Sequence, residues 1–180
     1  MAHAPTAGSR MSQADFWALV DSGELAEAPV ELIDGRLYAM SPQSDEHKLT
    51  IKQLMLLLGP ALAELEVQMS LKLPVESAPE PDLALTRPRP RGVGVDEPRL
   101  VIEVVWTQWR EAMRKLPVYA AASVGECWIV DIPKRLVHVH DRPEGREYGR
   151  TRTFAGADVL EPPGTEIRFT AAEVFARLDE

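Results

Sequence analysis

Asp82 and Glu103 each stand in a short apolar run, Pro81-Asp82-Leu83-Ala84-Leu85 and Leu100-Val101-Ile102-Glu103-Val104-Val105, and Lys115 follows the second. An acid inside an apolar run is costly to bury unless it is paired or binds a cation. Two such acids on neighbouring strands can share one hard divalent cation, and a nearby lysine can steady a reacting oxygen. That set of parts suits phosphodiester cleavage. The competing assignments are structural: a turn cap for Asp82, a buried ion pair for Glu103, a solvated surface position for Lys115.

The elements that must hold these residues follow from local pattern. Ser12 caps a first helix running through Leu19-Val20, with Asp15 at the capping-box position. Val30 to Ile33, Asp34-Gly35 and Arg36 to Met40 read as a hairpin closed by a type I′ turn. Ser44 or Asp45 starts a second helix that carries His47 and ends near Gly59-Pro60. Val67 to Leu73 alternates as a strand, and the two acidic runs are the strands after it. A proline tolerates the first helical turn, so the next helix starts at about Leu116-Pro117, with Lys115 at its mouth. Glu126 to Asp131 and Leu136 to His140 form a second hairpin around Pro133-Lys134, with His138 and His140 on its solvent face. Arg146 to Phe154 and Glu166 to Phe169 are further strands, and Thr170 caps a closing helix over 171–178. The order is α/β (α+β): a mixed central sheet flanked by helices.

The chain has 180 residues, 45% of them hydrophobic, enough for one domain with a core. Residues 1–11 read as a disordered tail and 12–180 as a single domain. No run is long enough to cross a bilayer, and Met1 to Arg10 lacks the apolar stretch of a signal peptide, which predicts a cytoplasmic protein without a membrane partner. The single Cys127, in Glu126-Cys127-Trp128-Ile129-Val130, reads as a buried strand cysteine. A net charge of -8 opposes nucleic-acid binding, where phosphate neutralisation supplies much of the affinity. The charge is uneven, however. Arg87, Arg89 and Arg91 crowd the stretch between the acidic runs as a candidate nucleic-acid rim, while acids gather from Glu24 to Glu46.

Several short motifs occur in order: Glu31-Leu32-Ile33-Asp34-Gly35, Met40-Ser41-Pro42, His47, Pro81-Asp82-Leu83, Val101-Ile102-Glu103-Val104, Lys115 with Tyr119, and Glu126-Cys127-Trp128-Ile129-Val130-Asp131. Together, over about residues 12 to 145, they resemble the Uma-type endonuclease family of the PD-(D/E)XK, restriction-endonuclease-like superfamily. The resemblance implies that Asp82 and Glu103 bind Mg²⁺ or Mn²⁺. It places Lys115 on the helix after the second acid, since Val105 occupies the superfamily's usual lysine position. It brings Glu31 as a third acid and His47 as a phosphate or metal contact. The departures are Glu111, where the family often has Asp, and Trp106-Thr107-Gln108-Trp109, which replaces a Ser-rich turn. The implied activity is metal-dependent hydrolysis of DNA, with a homodimer as a further expectation by analogy. The rival from another class is a catalytically weakened nuclease fold that binds nucleic acid or protein.

Overall fold

Ser12 accepts a hydrogen bond from the Asp15 N–H and so starts α1 (Gln13–Ser22), which ends at Gly23 in the left-handed region. In the computed structural model, which describes residues 10–26, 28–88 and 94–179, the chain then forms a hairpin of β1 (Val30–Ile33) and β2 (Arg36–Ala39). Asp34 and Gly35 both have positive φ, as the type I′ turn requires. Met11 is buried and its N–H bonds the Gly35 carbonyl at 2.8 Å. Packing therefore starts inside the span read as a tail, of which residues 1–9 lie outside the described residues.

Ser44 caps α2 (Asp45–Leu57), and a 3-10 segment at Gly59–Glu64 follows where Pro60 prevents a regular continuation. β3 covers only Leu65–Val67. The strand expected from Val67 to Leu73 does not form, because Gln68 adopts a φ of +49° and turns the chain out of the sheet. Its alternation reflects burial instead: Leu71 and Leu73 pack into the core layer below α3.

The remaining elements are β4 (Leu83–Thr86), β5 (Pro98–Val105), α3 (Trp109–Ala121), β6 (Glu126–Asp131), β7 (Leu136–Glu144), β8 (Glu147–Ala155), β9 (Val159–Leu160), β10 (Phe169–Thr170) and α4 (Ala171–Val174). Six strands form one mixed sheet in the order β3-β4-β5-β6-β7-β8. Only β5 and β6 run parallel, and α3 is the crossover that such a pair needs. The strand expected over Glu166 to Phe169 contracts to β10, and the closing helix is only α4 followed by a 3-10 turn at Ala176–Leu178. Thr170 and Glu173 close a capping box there.

Alternation along β5 decides which layer each side chain enters. Leu100, Ile102 and Val104 pack with Ile51, Leu54 and Leu58 on the α2 side. Val101 and Val105 pack with Ala112, Leu116 and Tyr119 on the α3 side. Glu103 has their parity and so faces α3. That helix starts much earlier than Leu116-Pro117 and carries Pro117 in its interior. A proline there removes one backbone bond and costs about 3 kcal/mol. Burial of Ala112, Leu116, Val118, Tyr119 and Ala120 against the sheet offsets it. Lys115 consequently lies in the middle of the helix and not at its mouth. His138 and His140 are half-buried, bonded to Thr153 and Thr151 at 3.0 Å, and not simply solvated.

Candidate active site

Strand register brings the two acids together. Leu83 pairs with Ile102 in antiparallel β4 and β5, so Asp82, one step before β4, stands beside Glu103. Asp82 is fixed from two sides. Its Oδ2 accepts the Val104 N–H at 2.7 Å, and its Oδ1 lies 3.0 Å from His47 Nε2, which reaches over from the first turn of α2. The close approach does not make a well-aligned hydrogen bond, and Nε2 remains a buried nitrogen without a bonding partner.

Lys115 meets the acids from the helix side. Its Nζ donates to Glu31 Oε2 at 2.9 Å, to the Glu80 carbonyl at 2.8 Å and to Glu103 Oε2 at 3.2 Å. Tyr119, one turn further along α3 and fully buried, donates to Glu103 Oε1 at 2.5 Å. Glu31 also accepts the Glu80 N–H at 3.2 Å, and reciprocal backbone bonds between Leu32 and Ala78 tie β1 to the segment leading into Asp82. Val105 is buried in the α3 layer, and the lysine enters from the helix.

All five residues singled out in the sequence (Glu31, His47, Asp82, Glu103 and Lys115) line one pocket of about 70 Å³, together with Glu80, Gln108 and Glu111. Arg87 does not join them. It follows the far end of β4, roughly 16 Å along the strand direction from Asp82, and lies 3.6 Å from Glu97 in solvent. Arg89 and Arg91 lie outside the described residues. Sequence reasoning missed Glu80, although the Glu80-Pro81-Asp82 spacing offered a signal: residues two apart in extended chain share a side. It also gave no role to Tyr119.

The charges in this pocket are unbalanced. Among the described lining residues five are carboxylates, and Lys115 is the only lysine or arginine. Burial pushes the Glu103 carboxyl up to about 8; Lys115 pulls it back, and Asp82 adds to the rise. Burial also raises Glu80 above the usual carboxylate range, against the pull of its Ser70 hydrogen bond. Burial alone would lower Lys115, yet Glu103 and Glu31 hold it above the ordinary ammonium value. One ammonium cannot neutralise both Glu31 and Glu103, so Glu103 keeps its proton to a higher pH than an ordinary carboxyl.

Among the described residues no three His, Cys, Asp or Glu side chains form a ready-made metal cage. The donor chemistry still fits a hard divalent cation. Oxygen ligands are in excess, a buried imidazole nitrogen lacks a bonding partner beside Asp82, and each Glu103 oxygen keeps a free lone pair.

The acids thus stand at a strand mouth with a lysine on the crossover helix between β5 and β6, and the fold that holds them is one already seen. It is similar to a crystal structure described as a putative nuclease belonging to DUF820 from Anabaena variabilis ATCC 29413, with a TM-score of 0.69, 14% identity, and coverage of 83% of this chain and 90% of that one. The family model Uma2, described as "Putative restriction endonuclease", matches residues 15–172, and the chain belongs to that family. No curated protein matches it by sequence. Among the described residues no helix is long and apolar enough to cross a membrane.

Proposed function

We propose that the protein is a Mg²⁺- or Mn²⁺-dependent endonuclease that hydrolyses phosphodiester bonds in DNA. The observation that carries this reading is the convergence of Asp82, Glu103 and Lys115 in one pocket that holds more negative charge than its single lysine can neutralise. Asp82 and Glu103 would hold the cation, which when bound polarises a phosphoryl oxygen and acidifies a water. The Val104 N–H keeps Asp82 from rotating away, and Tyr119 does the same for Glu103. Lys115 presents its charge to the reacting phosphate, and Glu31 anchors its ammonium. Electrostatic donors of this kind are worth about 2.7–4 kcal/mol of barrier. His47 Nε2 is available to a phosphate oxygen or to the cation. The family's description as restriction endonucleases favours DNA as substrate.

A plasmid-nicking assay with Mn²⁺, Mg²⁺ or chelator tests the reading. Wild type is expected to cut only with metal, and Asp82→Asn and Lys115→Met are expected not to cut. Equal cutting in chelator, or by folded Asp82→Asn, overturns it.

A further inference from the structure

Trp106 stands 37% exposed in the turn that joins β5, which carries Glu103, to α3, which carries Lys115, and Trp109, 36% exposed, is the first residue of that helix. Neither ring belongs to the core layers on the two faces of the sheet. Between them Gln108 lines the catalytic pocket and accepts the Thr107 N–H at 3.2 Å, which braces the turn. Trp109 is held in place. The His138 ring meets it edge-on with centroids 5.5 Å apart, and the Lys134 ammonium, anchored 2.9 Å from Asp131, lies 5.5 Å from its centre. Trp106 lines an open groove of about 420 Å³ with Leu49, Ile132 and Pro133, and with Asp45, Glu46 and Arg135 at its edges, a volume within the range of small-molecule clefts. One bank of the groove is the first turn of α2, which also sends His47 into the catalytic pocket. Groove and pocket therefore share a wall.

We propose that Trp106 and Trp109 form a stacking platform for unpaired bases next to the scissile phosphate, so that the protein prefers DNA with single-stranded segments over continuous duplex. The inference rests on the nuclease reading and names the substrate class for that site. A braced, exposed indole offers a flat face to any base, and only an unpaired strand can present base faces to it, because duplex bases already stack on one another. Charge on the banks sets the path of the backbone. Asp45 and Glu46 line the α2 bank, so a backbone follows the other, where Arg135 lines the groove and Lys134 stands beside Trp109, each paired with an acid of its own (Asp179 and Asp131). The net charge of -8 opposes phosphate attraction. A protein with few phosphate contacts must draw affinity from elsewhere, and stacking supplies it without a basic footprint.

The test is fluorescence anisotropy of labelled oligothymidine and of a blunt duplex of equal length, in chelator so that nothing is cut, across a salt series. Wild type is expected to bind the single strand more tightly, with a shallow salt slope. Replacing both residues (Trp106→Ala with Trp109→Ala) should weaken single-strand binding at least tenfold, since each stacked base contributes about 5- to 150-fold. Duplex binding should change less than twofold. Trp106→Phe with Trp109→Phe should retain most of the affinity, because an aromatic face suffices, and matched melting curves exclude misfolding. Unchanged single-strand affinity in the alanine variant, or wild type preferring the duplex, overturns the platform and leaves the nuclease reading to the nicking assay. Wild type binding neither probe also overturns the platform and again leaves the nuclease reading to the nicking assay.

Discussion

Glu103 on β5 and Asp141 on β7 are acids in strands of the same sheet, 6% and 5% exposed, and their surroundings drive them in opposite directions. Asp141 accepts from Arg150 Nε at 2.8 Å and from Arg152 Nη2 at 2.9 Å. Burial is the largest single influence and pushes it up, but the hydrogen bonds and charges of the two arginines together win and hold it below the usual carboxylate range. Deep burial and the neighbouring Asp82 lift Glu103 to about 8, against the pull of the one lysine it shares with Glu31. One cluster has more cations than acids and is satisfied. The other has fewer, and the deficit is of the kind a bound divalent cation makes good.

That contrast breaks most sharply at Lys115. Lys115→Met would leave Glu31 and Glu103 buried without their shared cation, and a loss of about 3–5 kcal/mol is expected in urea unfolding of the metal-free protein. A loss under about 1 kcal/mol would show that the pocket does not depend on the lysine for charge balance.

The next largest effect is pH dependence. A carboxyl raised from 4.5 to about 8 in the folded state contributes stability that is complete below 4.5 and is lost as pH rises through 8. Metal-free protein should therefore lose a few kcal/mol between those limits, and Glu103→Gln should flatten the curve. A parallel curve for Glu103→Gln would remove Glu103 as the source.

Added Mg²⁺ should act on one cluster only. At a hundredfold excess over Kd it should stabilise wild type by about 2.7 kcal/mol, raising Tm, with no shift in Asp82→Asn or Glu103→Gln. Asp141→Asn should keep the full Mg²⁺ shift. An equal shift in the Asp82 and Glu103 variants would locate the cation elsewhere.

The smallest effect belongs to the satisfied cluster. Because Asp141 is held low, its contribution is present above 3.8 and lost as pH falls through its lowered value. With half-exposed arginines as partners it is worth about 1 kcal/mol or less. Asp141→Asn should lower stability at neutral pH by that amount and have no effect below the titration.

Local signals in the chain were strong where one residue type settles a conformation. Ser12, Ser44 and Thr170 capped the helices expected of them, and Asp34-Gly35 closed the expected turn. They were weakest where tertiary packing overrode propensity. Pro117 sits inside α3 because five buried neighbours outweigh its missing N–H. The Val67 to Leu73 alternation is burial without pairing, a distinction that periodicity cannot make.

By itself the sequence determined the donor inventory and its polarity: two acids in apolar strands, a lysine after them, a third acid on a hairpin and a histidine at a helix start. Residue type and period-2 alternation are local properties, readable without neighbours. Only the tertiary structure decided who meets whom. The register of β4 against β5 put Asp82 beside Glu103, the parity of β5 turned Glu103 toward α3, and that helix delivered Lys115 and Tyr119 together while leaving Arg87 at the other end of the strand. Distances between elements far apart in sequence depend on packing of the whole core, and no local pattern encodes them.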